Sequence, residues 1–143
     1  MAEQNLKNHT RIVPIFHMGV GFPVIINFFW TIYKLVQDPS GDRFMAFLVG
    51  ISLLLLFISV RQQILTVQDR VIRLEMRLRM RELLQPDVYA RASALPIRQL
   101  IALRFASDAE LPALVRDVLS GNLTTQKDIK ARVKDWQSDF QRA

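Results

Sequence analysis

The side chains of this chain that could do chemistry at an unusual place fall into two groups. His17 and Asn27 stand inside a stretch, Ile12 to Tyr33, that carries no formal charge, and Arg70, Arg73, Arg77, Arg79 and Arg81 crowd the segment RVIRLEMRLRMRELLQP. A polar group in apolar surroundings is costly to keep, so it marks function by default. For His17 that function would be ligation of haem or another cofactor, or proton relay. The plainer reading is an interfacial histidine hydrogen-bonded to a neighbouring carbonyl, and its position six residues beyond Arg11 favours it. Asn27 lies deeper and would bridge two helices or an adjacent subunit. Pro14, Gly19, Gly21 and Pro23 crowd the same stretch, and Ala46 with Gly50 forms a small-xxx-small pair further on, the residue types that let helices approach closely.

No other constellation offers catalysis. The chain has no cysteine, which removes disulfides, thiol nucleophiles and thiolate metal sites. No nucleophile, base and orienting group recur at useful spacing, and no phosphate loop or metal-ligand cluster is present. A non-enzymatic protein without a cofactor is expected.

The elements that must position these residues are helices. Phe44 to Val60 is uncharged, as is Ile12 to Tyr33. As helices these stretches would measure about 26 and 33 Å, against a hydrocarbon layer of about 30 Å. SLLLLFISV is apolar on every side of a helical wheel, whereas a core helix of a soluble protein shows a polar face. The first apolar stretch exceeds the roughly 7 to 15 residues of a signal peptide and lacks a following A-x-A site, so it is expected to stay as an anchor. The segments are read as a transmembrane helix over 12–36 and a second over 44–60. A hairpin over 37–43, QDPSGDR, joins them, in which Pro39 presets the turn and Ser40 and Gly41 relax it.

Orientation follows from the basic residues. Lys7 and Arg11 flank the first span and Arg61 to Arg79 follow the second, while the acidic Asp38 and Asp42 offset Lys34 and Arg43 around the hairpin. Positive residues stay inside, so residues 1–11 form a cytoplasmic segment, the hairpin is periplasmic and both termini are cytoplasmic. The net charge of +6 is concentrated after the second span.

Between Phe44 and Gln85 only Gly50 weakens a helix, so the second span is expected to continue as a basic amphipathic helix over 61–85, ended by Pro86. Val60, Ile64, Val67, Val71, Leu74 and Leu78 recur in alternating steps of four and three, a heptad seam. With Ile64 at a, Arg70 and Arg77 fall at g, and Glu75 and Glu82 at e. In a parallel dimer these would pair as Arg70 with Glu75 and Arg77 with Glu82, while Arg81 falls on a d position. Three occupants remain open for the stripe. It could pair with a second copy, or pack on the chain's own C-terminal helices or a partner subunit, with Asp69–Arg73 and Glu75–Arg79 as ordinary i,i+4 pairs. Or the arginines could simply meet anionic lipid headgroups.

Residues 86–143 read as a cytoplasmic bundle of short helices. Pro86 opens one to about Ala94. Pro96 opens a second, with Ile97, Leu100, Ile101 and Phe105 inward. Ser107 and Glu110 form a capping box before Leu111, Leu114, Val115, Val118 and Leu119, with Pro112 leaving that boundary open by a residue or two. Gly121 and Asn122 close that helix. Thr125 and Asp128 cap a last helix with a stripe of Ile129, Val133, Trp136 and Phe140. Four such helices are marginal alone, so docking on the arginine helix is expected. The tail mixes its charges on every face, which argues against nucleic acid as a partner.

Three blocks carry a family resemblance: QNLKNHTRIVPIFH, QDRVIRLEMRLRMRELL, and RQLIALRFASDAELPALV followed by Asn122-Leu123-Thr124 and Lys134-Asp135-Trp136. Together they resemble the domain-of-unknown-function family 6526. The resemblance implies a small bacterial inner-membrane protein with two N-terminal spans and a helical cytoplasmic tail. It carries over no catalytic residue and marks Asn5, Asn8, His9, Arg11, Pro14 and His17 as motif positions. The expected function is that of a non-catalytic accessory or scaffold protein, as a homodimer or within a larger membrane complex. The alternative is a small subunit of a transport or energy-converting complex with His17 near a cofactor or substrate.

Overall fold

The computed structural model describes residues 13–138, and among these the regular elements are all helical, apart from one isolated bridge between Ala106 and Trp136. The chain is all-α, as the sequence patterns require. It divides into two compact units at Thr66–Val67, and the longest helix continues through that boundary.

The first unit begins with a π-helical segment, Ile15–Gly21, followed by α1, Phe22–Gln37. Pro14 stands just before the π segment and Pro23 just after it. Proline cannot donate to an α-helical ladder, and at this junction the Phe22 N–H reaches back to the His17 carbonyl, one residue further than an α-turn. Helix α1 stops at Gln37 because Asp38 precedes Pro39 and is pushed out of the helical region, to φ −151° and ψ 87°.

Helix α2, Gly41–Leu83, follows at once. The connection is shorter than the 37–43 turn read from the sequence, since Gly41, Asp42 and Arg43 are already helical. Ser40 is the reason: its carbonyl accepts the Phe44 N–H at 3.0 Å and its Oγ accepts the Arg43 N–H at 3.4 Å. Arg43 then ties the turn together, paired with Asp38 at 2.8 Å and donating to the Lys34 carbonyl at 2.9 Å.

Side-chain contacts between α1 and α2 descend the first helix as they climb the second. Phe28 meets Phe47, Gly50 lies against Asn27 and Thr31, and the Phe57 ring touches Gly21 and stacks on Phe16 at 4.5 Å. Both the Ile15–Gln37 stretch and α2 contain a window long and apolar enough to cross a membrane, and only 6% of each window is buried within the protein. A core helix of a soluble domain would be mostly covered.

The second unit comprises α2 from Val67 onward with α3 (Pro86–Ala92), α4 (Ile97–Leu103), α5 (Leu111–Leu119) and α6 (Gln126–Arg132). Ile72, Met76 and Met80 of α2 close one side of its core, against Leu100, Leu103, Leu111 and Val115 of the tail helices. The core thus draws the apolar surface that four short helices lack from α2. Pro86 and Pro112 both sit in first turns, where a missing N–H costs nothing. Helix α5 ends in a Schellman turn: Gly121 adopts φ +82°, Asn122 N–H bonds to Asp117 O at 3.1 Å and Gly121 N–H to Val118 O at 3.1 Å.

The stripe expected of a last helix through Val133, Trp136 and Phe140 is corrected by the structure. Helix α6 stops at Arg132, Val133 is extended, and Phe140 lies outside the described residues. Stronger partners draw the chain out of the helix. The Glu110 carboxylate accepts the N–H groups of Lys134 at 3.1 Å and Asp135 at 3.3 Å, Gln137 N–H donates to Phe105 O at 2.7 Å, and Trp136 stacks on Phe105 at 4.5 Å.

Candidate interaction surface and the His17 segment

Helix α2 after Val67 presents two apolar stripes with different surroundings. In the register with Ile64 at a, the residues that enter the tail core, Ile72, Met76 and Met80, fall at b, f and c. They are exposed by 2%, 2% and 0%. The a and d residues Ile64, Val67, Val71, Leu74 and Leu78 are exposed by 38%, 60%, 47%, 61% and 55%. The tail therefore packs on the helix, but not on the heptad stripe.

The charged positions follow the same division. Arg79, at b, is half-covered and acts as a clamp. Its Nε meets Asp108 at 2.6 Å, its Nη2 donates to Ala106 O at 2.6 Å, and its Nη1 donates to Arg104 O at 3.3 Å. This overturns the expected Glu75–Arg79 pair, because a planar fork serves two carbonyls and a carboxylate of the α4–α5 turn better than one exposed neighbour does. Asp69 and Arg73 also form no ion pair, as the ion pairs of the described residues are Arg43–Asp38 and Arg79–Asp108. Arg70, Glu75, Arg77 and Glu82 are all exposed, and Arg77 makes only a long 3.3 Å bond to Ser93 O.

Two positioning groups escaped the reading of the sequence. Arg79 looked like one of five similar arginines, and only its place beside Met76 and Met80 on the b/c/f face could have singled it out. Glu110 was expected in a capping box, and its Oε1 does accept the Ser107 N–H at 3.4 Å. The same carboxylate also gathers the chain after α6, a bond of 24 and 25 residues' separation with no local signature.

His17 has half-buried surroundings within the π segment. Its Nδ1 lies 2.9 Å from Val13 O and 3.2 Å from Val13 N, and Phe16 meets its ring edge-on at 5.3 Å. Among the described residues no group of three histidine or acidic side chains converges as a metal site. The Phe16 ring in turn carries the Arg61 guanidinium at 5.7 Å on one contact and Phe57 on the other.

Asn27 faces α2. A Cβ built on Gly50 would lie 3.3 Å from Asn27 Oδ1 and 2.9 Å from Thr31 Oγ1, so the glycine is required for the close approach. Thr31, one turn on from Asn27, is buried and donates to Phe28 O at 2.9 Å. Ala46, the other member of the small-residue pair, is exposed. Asn5, Asn8, His9 and Arg11 lie outside the described residues.

A cleft of about 170 Å³ lies between α2 (Glu75, Met76, Arg79) and the tail, one of about 200 Å³ lies on the tail, and an open apolar groove of about 350 Å³ runs along α2 past Met45, Val49 and Leu56. What the geometry defines is a helical protein with two helices apolar enough for a membrane, and with an exposed heptad stripe on the extension of the second. The chain belongs to the family of unknown function DUF6526, whose family model matches residues 1–143. No curated protein and no solved structure matches it.

Proposed function

We propose that this chain is a non-catalytic accessory or scaffold protein of a bacterial inner membrane, acting through protein–protein contacts of the α2 extension and its tail. In this reading the Ile15–Gln37 stretch and the first part of α2 cross the bilayer as an antiparallel pair. Both termini then face the cytoplasm, because Arg61 and the arginines from Arg70 onward follow the second span. The basic extension would also meet anionic headgroups, at about 1 kcal/mol per residue near the surface.

One observation carries the proposal: after the tail has taken the Ile72–Met76–Met80 side of α2, the stripe Val67–Val71–Leu74–Leu78 is still exposed, flanked by charges of both signs that form no ion pair among the described residues. Such a surface suits a partner helix. Purification from native membranes in mild detergent tests it. A colourless assembly larger than the monomer, lost when Leu74 and Leu78 are both changed to Glu, is expected. A monodisperse monomer would end the reading.

The second reading, a small subunit of a transport or energy-converting complex, draws on the His17 segment. π-turns occur often at functional sites, and the Val13 backbone holds His17 Nδ1, by its N–H or by its carbonyl according to the tautomer, which leaves Nε2 as the nitrogen for ligation. A visible absorbance band in the purified complex that disappears in His17→Ala would favour it.

A further inference from the structure

We propose that the occupant of the exposed α2 stripe is a second copy of this chain, paired as a parallel two-stranded coiled coil over residues 67–82. The inference deepens the scaffold reading and rests on it for the membrane anchoring that holds two copies parallel.

Four observations lead to this partner. First, the face is complementary to itself. With Val71 and Leu78 at a and Val67 and Leu74 at d, Arg70 and Arg77 occupy g while Glu75 and Glu82 occupy e. Each g arginine of one copy then meets the e glutamate of the other, and the symmetry makes every such pair twice. No g–e′ pair in this stretch brings like charges together. An unrelated partner would have no reason to find its complement built into the same helix.

Second, these four charges are free for the purpose. Glu75 would ordinarily take Arg79 as its i+4 neighbour, but Arg79 is committed to Asp108 and two carbonyls of the tail. Neither Glu75 nor Glu82 has an ion-pair partner among the described residues, and neither has Arg70. Arg77 has only its long bond to Ser93 O to give up.

Third, the tail leaves room. The residues it covers, Ile72, Met76, Arg79 and Met80, fall at b, f, b and c, the side of a coiled-coil helix that faces away from its partner. The tail fold and the pairing therefore do not compete for the same surface. Fourth, the apolar seam does not oppose two strands: Val71 at a with Leu74 at d favours them, and Leu78 at a with Val67 at d is the reverse arrangement, so the charges at e and g rather than the core set the pairing. The apolar seam ends at Leu78, because Arg81 takes the next d position, two residues before α2 itself ends at Leu83.

A seam this short is weak for free helices in water. It becomes effective when neighbouring spans confine the two copies to one surface, because confinement raises their effective concentration.

The chain's lack of cysteine makes the test direct. Single substitutions Val71→Cys, Leu74→Cys, Asp69→Cys and Arg73→Cys are oxidised in native membranes and the products read on non-reducing gels. Val71→Cys and Leu74→Cys, at a and d, are expected to give a band at twice the monomer mass. Asp69→Cys and Arg73→Cys, at f and c, are expected to give little. Adding Glu75→Arg and Glu82→Arg to Leu74→Cys should lower the yield about tenfold through four repulsive contacts. Further adding Arg70→Glu and Arg77→Glu should restore it, because the exchanged charges again match. Equal crosslinking at all four positions, no crosslinking at 71 and 74, a product whose mass shows a different protein, or no rescue by the fourfold exchange would each overturn the dimer. An assembly larger than the monomer in mild detergent that gives no crosslink at 71 and 74 would end the dimer and leave the scaffold reading standing, whereas a monodisperse monomer in detergent that still crosslinks at 71 and 74 in native membranes would do the reverse, so the two failures are distinguishable.

Discussion

At the scale of single residues, the polar fastening of the tail to α2 is Arg79, beside the apolar contacts of Ile72, Met76 and Met80, and the choice of arginine is chemical. Its guanidinium satisfies the carbonyls of Arg104 and Ala106 together with the Asp108 carboxylate. Arg79→Ala strands both carbonyls and is expected to lower tail stability by ~1–3 kcal/mol in denaturant titration. Arg79→Lys keeps the charge but not the fork, and should recover only a minor part. Asp108 is 69% exposed, so Asp108→Asn should cost well under ~1 kcal/mol. Gly50 makes a comparable case in the first unit, where a Cβ would come within 2.9 Å of Thr31 Oγ1. Gly50→Ala is expected to loosen the α1–α2 contact by ~1–3 kcal/mol in a detergent unfolding series. Thr31→Ala in the same chain should return much of that, because it removes the obstructing hydroxyl. Additive losses in the double variant would show that the clash is not the cause.

Among the elements, α2 shows what periodicity can and cannot say. Its heptad stripe was legible because Val67, Val71, Leu74 and Leu78 repeat at steps of four and three, and the charges at e and g reinforce the pattern. Which stripe the tail would choose was not legible, because Ile72, Met76 and Met80 form a second apolar row and the two rows are equally compatible with a helix. The decision lies in tertiary packing, in how four short helices present their own core residues, and no window of the sequence contains it. The end of α6 was hidden for a similar reason. Ile129, Val133 and Trp136 keep helical spacing, yet the groups that pull the strand away, Glu110 and the Phe105 carbonyl, are distant in sequence. Local punctuation fared better: Gly121, Thr125, Pro86 and Pro112 sit where capping chemistry puts them. Paired substitutions separate the two stripes of α2. Met80→Ala should cost the tail ~2–5 kcal/mol by leaving a cavity. Leu74→Ala should change tail stability by less than ~0.5 kcal/mol. Equal losses in thermal unfolding would contradict the two-sided assignment.

For the molecule as a whole, the membrane reading predicts that the chain stays with the bilayer through alkaline extraction. A cysteine placed at Ser40 in intact cells should react with an impermeant maleimide, and one placed at Asp87 should react only after lysis; the reverse pattern would invert the proposed topology. The division of labour on α2 also has a consequence for inheritance. Because the row that supports the tail and the row left bare lie on separate sides of one helix, they are exposed to separate selective pressures. Changes at Ile72, Met76 or Met80 would be punished through the quantity of protein that survives proteolysis. Changes at Val71, Leu74 or Leu78 would leave that quantity alone and alter only whom the protein keeps company with, so a saturation library scored once for abundance and once for fitness should resolve two out-of-phase bands along the same seventeen residues, 67–83.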